Sequence, residues 1–63
     1  MQVLKKHIGR PCDFQTTIGK QNGIIEDVRK KIVTIRYWLN APFRYEPEGY
    51  ITYKKFNEII EVY

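Results

Sequence analysis

Apolar and polar side chains alternate in several short runs of this chain, and the clearest run spans residues 31–39. The odd-numbered residues from 33 to 39 are Val, Ile, Tyr and Leu, whereas the even-numbered residues from 32 to 38 are Ile, Thr, Arg and Trp. Successive side chains of a strand point to opposite faces, so this pattern predicts a strand with one apolar face and one mixed face. Because it is the longest such run, we expect it at the centre of any sheet.

Two shorter runs precede it. Alternation over residues 11–18 predicts a first strand, and residues 19–23 predict a turn, because the Asn-Gly pair at 22–23 tolerates the positive φ angles of tight hairpins. Residues 23–28 are predicted as the second strand, with Ile25 facing the core in preference to Ile24 and Val28. A slip of one residue would reverse that register. Arg29 and Lys30 leave room only for a tight hairpin into the run 31–39.

The second half of the chain predicts a loop, two strands and a helical turn. The loop, residues 40–48, is stiffened by Pro42 and Pro47. A short strand is predicted at 50–53, a single helical turn at 54–57 with Thr52 as its cap, and a last strand at 59–63. The expected core comprises Ile8, Cys12, Phe14, Ile25, Val33, Ile35, Tyr37, Leu39, Ile51, Phe56 and Ile60.

This order of five short strands, hairpin connections and one helical turn resembles the Src homology 3-like (SH3-like) barrel that Tudor and KOW modules share. The resemblance covers about residues 9–63 and rests on element order and spacing. The strand that begins at Gly23 and is followed by a basic turn is similar to the KOW pattern. The resemblance implies an all-β, small five-stranded barrel with one short helical turn before the last strand. Residues 1–63 would be a single domain, with 1–8 as an N-terminal arm or short helix.

The signalling members of that fold carry sequence features that this chain does not have. Their aromatic-rich Ala-Leu-Tyr-Asp-Tyr segment is absent, as is the acidic first loop that reads arginine in proline-rich peptides. The resemblance therefore does not imply peptide binding of that kind, and the fold alone would not imply it either.

Length and cysteine content limit how this chain is stabilised. A chain of 63 residues has one small core, and it buries only about 60% of its unfolded surface. The single cysteine, Cys12, excludes an internal disulfide, and His7 is the only histidine, so a structural zinc site would be short of ligands. We expect no metal and no cofactor.

The distribution of apolar residues bears on location. No apolar run approaches the roughly 20 residues that span a bilayer, and the first residues lack the apolar segment of a signal peptide. A lone free thiol suits a reducing compartment. The expectation is a cytoplasmic protein that does not contact a membrane.

Residue types that carry out catalysis are few and scattered. Cys12 lies on a predicted strand, on the same side as Phe14, where an inert, buried thiol is expected. His7 is expected to be exposed in a basic arm. Glu26 and Asp27 are adjacent on a strand and so point to opposite faces, which disfavours paired acid–base chemistry. The chain is not expected to be an enzyme.

The net charge of +4 is unevenly distributed, with +5 on residues 1–36 and −1 on residues 37–63. A positive face attracts nucleic acid or an acidic protein, although surplus lysine can also serve solubility alone. Basic side chains neutralise phosphates and exposed aromatic rings stack on unpaired bases. The candidate nucleic-acid contacts are Arg29, Lys30 and Lys31 at the hairpin, and Arg36 and Trp38 on the mixed face of the run 31–39. Trp38 has a second interpretation, as cover for the open end of a barrel.

A protein–protein interaction module is the alternative function. Phe43, Arg44, Tyr45 and Tyr50 around the Pro42–Pro47 loop are residue types enriched at interface hot spots. A methyl-lysine cage built from Tyr37, Tyr45 or Tyr53 would need three aromatic rings to converge. Self-association through the edge of the last strand, 59–63, is a third alternative. The small size suggests an accessory or regulatory factor of bacterial or phage origin.

Overall fold

The computed structural model describes residues 2–39 and 47–63 of the chain. Five β-strands account for most of these residues, and each of the two 3-10 turns is three residues long. The strands are β1 (Pro11–Thr16), β2 (Gly19–Arg29), β3 (Ile32–Tyr37), β4 (Tyr50–Lys55) and β5 (Ile59–Val62), and the 3-10 turns are Lys5–His7 and Phe56–Glu58.

The five strands form one antiparallel sheet in the order β4-β3-β2-β1-β5. The predicted all-β class, the five strands and the helical turn before the last strand are confirmed. The edge strands β4 and β5 do not pair with each other, so the sheet is not closed into a barrel.

The central strand is β2, so the prediction that residues 31–39 lie at the centre was wrong. β2 has 11 residues, against 6 in β3. Its first part pairs with β1 and its second part with β3, and Ile24 is paired on both sides. Because it pairs with a strand on each side, β2 occupies the middle of the sheet.

The turn predicted at Asn22-Gly23 was also wrong. The β1–β2 connection is at residues 17–18, and Gly23 lies within β2, paired with Cys12. A Cβ atom on Gly23 would lie 2.6 Å from Ile35 Cγ2 and 2.7 Å from the Arg36 carbonyl oxygen. Glycine is therefore needed here for close packing of β2 on β3, whereas the sequence pattern suggested a need for positive φ.

The tight hairpin between β2 and β3 is confirmed and consists of Lys30 and Lys31. Arg29 pairs with Ile32, which leaves a two-residue loop. The φ angles of Lys30 and Lys31 are 51° and 68°. Two positive values are typical of a type I′ turn, in which Asn-Gly is the preferred pair, so two lysines hold this turn at a conformational cost.

A β-bulge changes which residues of β2 face the core. The register with β3 shifts between Ile25 and Asp27, so Ile25 and Val28 both point inward although they are three residues apart. The prediction that Ile25, and not Ile24, faces the core is confirmed. The prediction that Val28 does not face the core was wrong, because strict alternation does not hold across a bulge.

The core lies on one face of the sheet, which we call the inner face, and the opposite face is the outer face. Five predicted members are buried and two are partly buried against them: Cys12, Phe14, Ile25, Val33 and Ile35, then Tyr37 and Phe56. Four predicted members are exposed instead: Ile8, Leu39, Ile51 and Ile60. Val3, Val28 and Ile59 complete the core. The arm that carries Val3 is held by hydrogen bonds between residues 9–10 and Ile25.

The register of β4 explains why Ile51 is outside. Val33 and Ile35 pair with Lys54 and Thr52, so these two polar residues share the inner face, whereas Ile51 pairs with Arg36 on the outer face. Thr52 therefore lies within β4 and does not cap the following 3-10 turn. The Glu58 carboxylate instead accepts a hydrogen bond of 2.9 Å from the Lys55 backbone N–H.

Adjacent isoleucines in β5 provide a test of the register between β5 and β1, in which Ile59 pairs with Phe14. Ile59 is 4% exposed and Ile60 is 46% exposed. We expect Ile59→Ala to lower the free energy of unfolding by about 3 kcal/mol, and Ile60→Ala by less than about 1 kcal/mol, because only the first leaves a cavity. Denaturant unfolding of both variants measures the difference. Equal losses would contradict the assigned register.

Candidate nucleic-acid interface

Four basic side chains lie together at one end of the sheet. Arg29, Lys30 and Lys31 are exposed at the β2–β3 hairpin, and Lys55 is exposed at the end of β4, where it pairs with Ile32. A shallow depression of about 390 Å³ runs between the two lysines of the hairpin and Lys55. We call these four residues the basic end.

Most of the charge at the basic end is not compensated. Among the described residues, no carboxylate lies within 4.0 Å of Lys30, Lys31 or Lys55, and the Arg29 guanidinium is 3.7 Å from the Asp27 carboxylate with the arginine side chain 80% exposed. Exposed pairs at that distance are weak. The positive potential of the basic end is therefore available to an anion.

Lys54 differs sharply from its neighbour Lys55. Its side chain lies on the inner face, with the ammonium 3.7 Å from Glu58 and 5.8 Å from the centre of the Phe14 ring. Both contacts satisfy the charge within the protein. Adjacent lysines in β4 thus have different environments, because successive side chains of a strand alternate between faces.

Arg36 is held by internal contacts. Its Nε donates a hydrogen bond of 2.6 Å to Glu26 Oε1, and another guanidinium nitrogen donates to the Glu48 carbonyl oxygen. The short contact with Glu26 compensates its charge. Arg36 has less positive charge to offer a phosphate than the residues of the basic end have.

Trp38 is half-exposed and lies at the opposite end of β3 from the hairpin. Its indole N–H donates to the Pro47 carbonyl oxygen at 3.3 Å, and its ring packs closely on Gly49, where a Cβ atom would lie 2.9 Å from Cε2. Trp38 lies six positions after Ile32 along extended chain, which corresponds to about 20 Å. The predicted contacts are therefore divided between two ends of the sheet.

An outer face with exposed apolar and aromatic side chains joins the two ends. Thr34 pairs with Tyr53 and Arg36 with Ile51, so these residues lie side by side on β3 and β4. Tyr53 is 68% exposed, and Ile32 and Ile51 are also exposed. The sequence prediction of nucleic-acid contacts did not include Tyr53 or Lys55. Alternation along 50–55 places both on one face, but only the pairing of β4 with β3 brings them next to the hairpin.

A depression of about 500 Å³ lies on this outer face beside the basic end. It is lined by Asp27, Arg29, Lys30, Ile32, Thr34 and Tyr53. Strands β2, β3 and β4 all contribute to it, so its shape depends on the register of the sheet. It combines an aromatic ring, a carboxylate and two cations within one small surface.

The residues of the alternative, protein-binding site are only partly described. Phe43, Arg44 and Tyr45 lie outside the described residues. Tyr50 is half-buried, with its ring centre 5.7 Å from that of Tyr37. Tyr37 in turn packs edge-on against the buried Phe14 at 5.6 Å. Tyr50 thus extends the core toward the surface.

The aromatic residues considered for a methyl-lysine cage do not all converge. Tyr37 packs on the inner face, whereas Tyr53 lies on the outer face of the sheet. A single cage cannot use both rings.

Cys12, considered above as a nucleophile, belongs to the core, and His7 lies in the N-terminal 3-10 turn. Cys12 is fully buried, as predicted, and burial, with a smaller contribution from the charge of Asp13, raises the pKa of its thiol to about 11. A protonated, enclosed thiol is a poor nucleophile. His7 Nδ1 accepts a hydrogen bond of 2.9 Å from the Leu4 backbone N–H, within the N-terminal 3-10 turn.

In residues 2–39 and 47–63, no group of three or more His, Cys, Asp or Glu side chains is arranged to hold a metal ion. The helical segments there are all too short to cross a membrane.

Comparisons with protein-family models, with curated proteins and with solved structures each gave no significant match to this chain.

Proposed function

We propose that this protein is a small, non-enzymatic module that binds nucleic acid through the basic end and the adjoining outer face. The observation that carries the proposal is the grouping of Arg29, Lys30, Lys31 and Lys55 without close carboxylate partners for the three lysines among the described residues. Phosphates replace bound counterions with such side chains, which supplies most of the affinity of sequence-independent binding.

The conformation of the hairpin supports this proposal. Positive φ angles at Lys30 and Lys31 are unfavourable for side chains with a Cβ atom, and Asn-Gly would form the same turn more easily. Unfavourable backbone conformations cluster at functional sites. A role for the two charges in binding would explain why lysines are present at this turn.

The same proposal includes the type of fold and the location of the protein. The strand order and the 3-10 turn before β5 support an open variant of the Src homology 3-like fold, in which short loops present a basic hairpin beside an exposed sheet face. A free, buried thiol supports a cytoplasmic location.

Two neighbouring lysines test the proposal. We expect Lys55→Gln to weaken binding to short single-stranded oligonucleotides and to lower the slope of log affinity against log salt by about 0.7, because one phosphate contact is lost. Lys54→Gln removes the same charge from the inner face and should leave the slope unchanged. Fluorescence anisotropy titrations at several salt concentrations measure both slopes, and circular dichroism checks that each variant is folded.

The competing outcomes are distinct. Absence of binding to single- or double-stranded oligonucleotides at low salt would overturn the proposal. Equal effects of the two substitutions would show that only net charge matters and that the basic end is not a site. In either case the protein-interaction alternative would be tested next, with Phe43→Ala and Tyr45→Ala.

A further inference from the structure

We infer that the outer-face depression beside the basic end receives one unpaired base, and that it prefers guanine. This inference rests on the proposed function, because the basic end must first hold the phosphates. It names the chemical class of the ligand: a single strand whose base presents N–H donors to Asp27 while stacking on Tyr53.

Tyr53 has the position and exposure that base stacking requires. It is the most exposed aromatic side chain among the described residues, and it lies on the outer face between Thr34 of β3 and the free edge of β4. Aromatic side chains on a sheet surface stack on unpaired bases, whose faces are hidden in a duplex. Ile32, which also lines the depression, adds an apolar contact at its side.

Asp27 is the feature that distinguishes the depression from a plain phosphate site. A carboxylate repels phosphate, yet this one lies in the same row across the sheet as Tyr53, with Thr34 of β3 between them, and it lines the depression together with Arg29 and Lys30. Its Oδ1 accepts a hydrogen bond of 2.9 Å from the Val28 backbone N–H, and its Oδ2 is 3.7 Å from the nearest Arg29 nitrogen, too far for a hydrogen bond. The carboxylate therefore retains several acceptor positions.

The base that matches a carboxylate in this setting is guanine. Its Watson–Crick edge presents two adjacent donors, the N1 and N2 groups, which can bind both carboxylate oxygens as an arginine fork does. Adenine and cytosine each offer one amino group on that edge, and thymine or uracil offers one imino group. Two parallel hydrogen bonds commonly give a specificity of roughly tenfold or more over a base that forms fewer.

The depression is large enough to receive one base. Its volume of about 500 Å³ lies within the range of small-ligand pockets and exceeds that of a single nucleobase. Arg29 and Lys30 line the same depression, so they can contact the phosphates that flank the bound base. Base recognition and phosphate neutralisation are thus adjacent on the surface.

The experiment compares a short oligothymidylate with the same strand carrying a central guanine, inosine or adenine. We expect the parent protein to bind the guanine strand roughly tenfold more tightly than the thymidine strand, with inosine intermediate because it lacks the N2 amino group. Hybridising the guanine strand to its complement should abolish the preference. Anisotropy titrations at one fixed, low salt concentration measure all of these affinities.

Substitutions in the depression assign the preference to particular atoms. Asp27→Asn keeps the shape and an oxygen for the Val28 N–H but cannot accept two hydrogen bonds from guanine through its two terminal atoms, so it should remove the preference without weakening thymidine binding. Tyr53→Ala should weaken binding of every single strand roughly tenfold with no change in salt slope, and Tyr53→Phe should restore it. Thermal unfolding of each variant checks the fold.

The outcomes separate this inference from the proposed function. Salt-dependent binding with equal affinity for all single strands, or with equal affinity for the duplex, would overturn the inference and leave the proposed function standing. A guanine preference that persists in Asp27→Asn would also overturn it. Absence of binding to any strand would overturn both.

Discussion

Replacing Gly23 with alanine is expected to lower the free energy of unfolding by about 2–3 kcal/mol. The added Cβ would lie 2.6 Å from Ile35 Cγ2, 2.7 Å from the Arg36 carbonyl oxygen and 3.2 Å from Phe14 Cε1. Ile35 and Phe14 are fully buried, so neither can move aside freely. A domain of this size has a total stability of only roughly 5 kcal/mol, so the loss is a large share of it.

Denaturant unfolding followed by tryptophan fluorescence measures this loss, and Asn22→Ala is the matched control. Asn22 precedes Gly23 on β2 but is exposed, so its truncation should change stability by less than about 0.5 kcal/mol. A Gly23→Ala variant as stable as the parent would show that β2 does not approach β3 as closely as described.

The double substitution Lys30→Asn and Lys31→Gly is expected to change stability and binding in opposite directions. Asn-Gly is the preferred pair for a turn with two positive φ angles, so the variant should gain about 1–2 kcal/mol of stability. Loss of two cations from the basic end should weaken nucleic-acid binding and reduce the salt slope by about 1.4 for a single strand. A variant that is more stable yet binds less cannot owe its defect to unfolding.

The control removes two charges elsewhere. Lys5 and Lys6 are exposed in the N-terminal 3-10 turn, so Lys5→Asn with Lys6→Asn gives the same net charge. Chemical denaturation and salt titrations of both double variants provide the comparison. Equal losses of binding would mean that the hairpin has no special role, and a hairpin variant less stable than the parent would contradict the described turn.

The local pattern of the sequence predicted a strand in each of the five regions that form one, although β2 begins at Gly19 and not, as predicted, at Gly23. Alternation in 11–18 and 31–39 predicted β1 and β3 to within a few residues, because one apolar face and one polar face are a property of the strand itself. The predictions failed where a residue's role depends on a partner strand. Gly23 gave a turn signal, but its role is to let β2 approach β3, and Val28 was excluded because a bulge has no signature in alternation.

The same difference between local pattern and contacts with a partner strand applies to the candidate site. The sequence identified the hairpin cations Arg29, Lys30 and Lys31, because consecutive charges next to a tight turn must lie in solvent. It could not show that Arg36 is compensated by Glu26, ten residues away in the chain.

The strand content, the basic hairpin and most of the core follow from the sequence, since each depends on the order of residues within one segment. The central position of β2, the open sheet and the placement of Lys55 and Tyr53 beside the hairpin follow from the way the strands pair. Those features depend on register between segments far apart in the chain. Register is set by packing and bulges, which no single segment encodes.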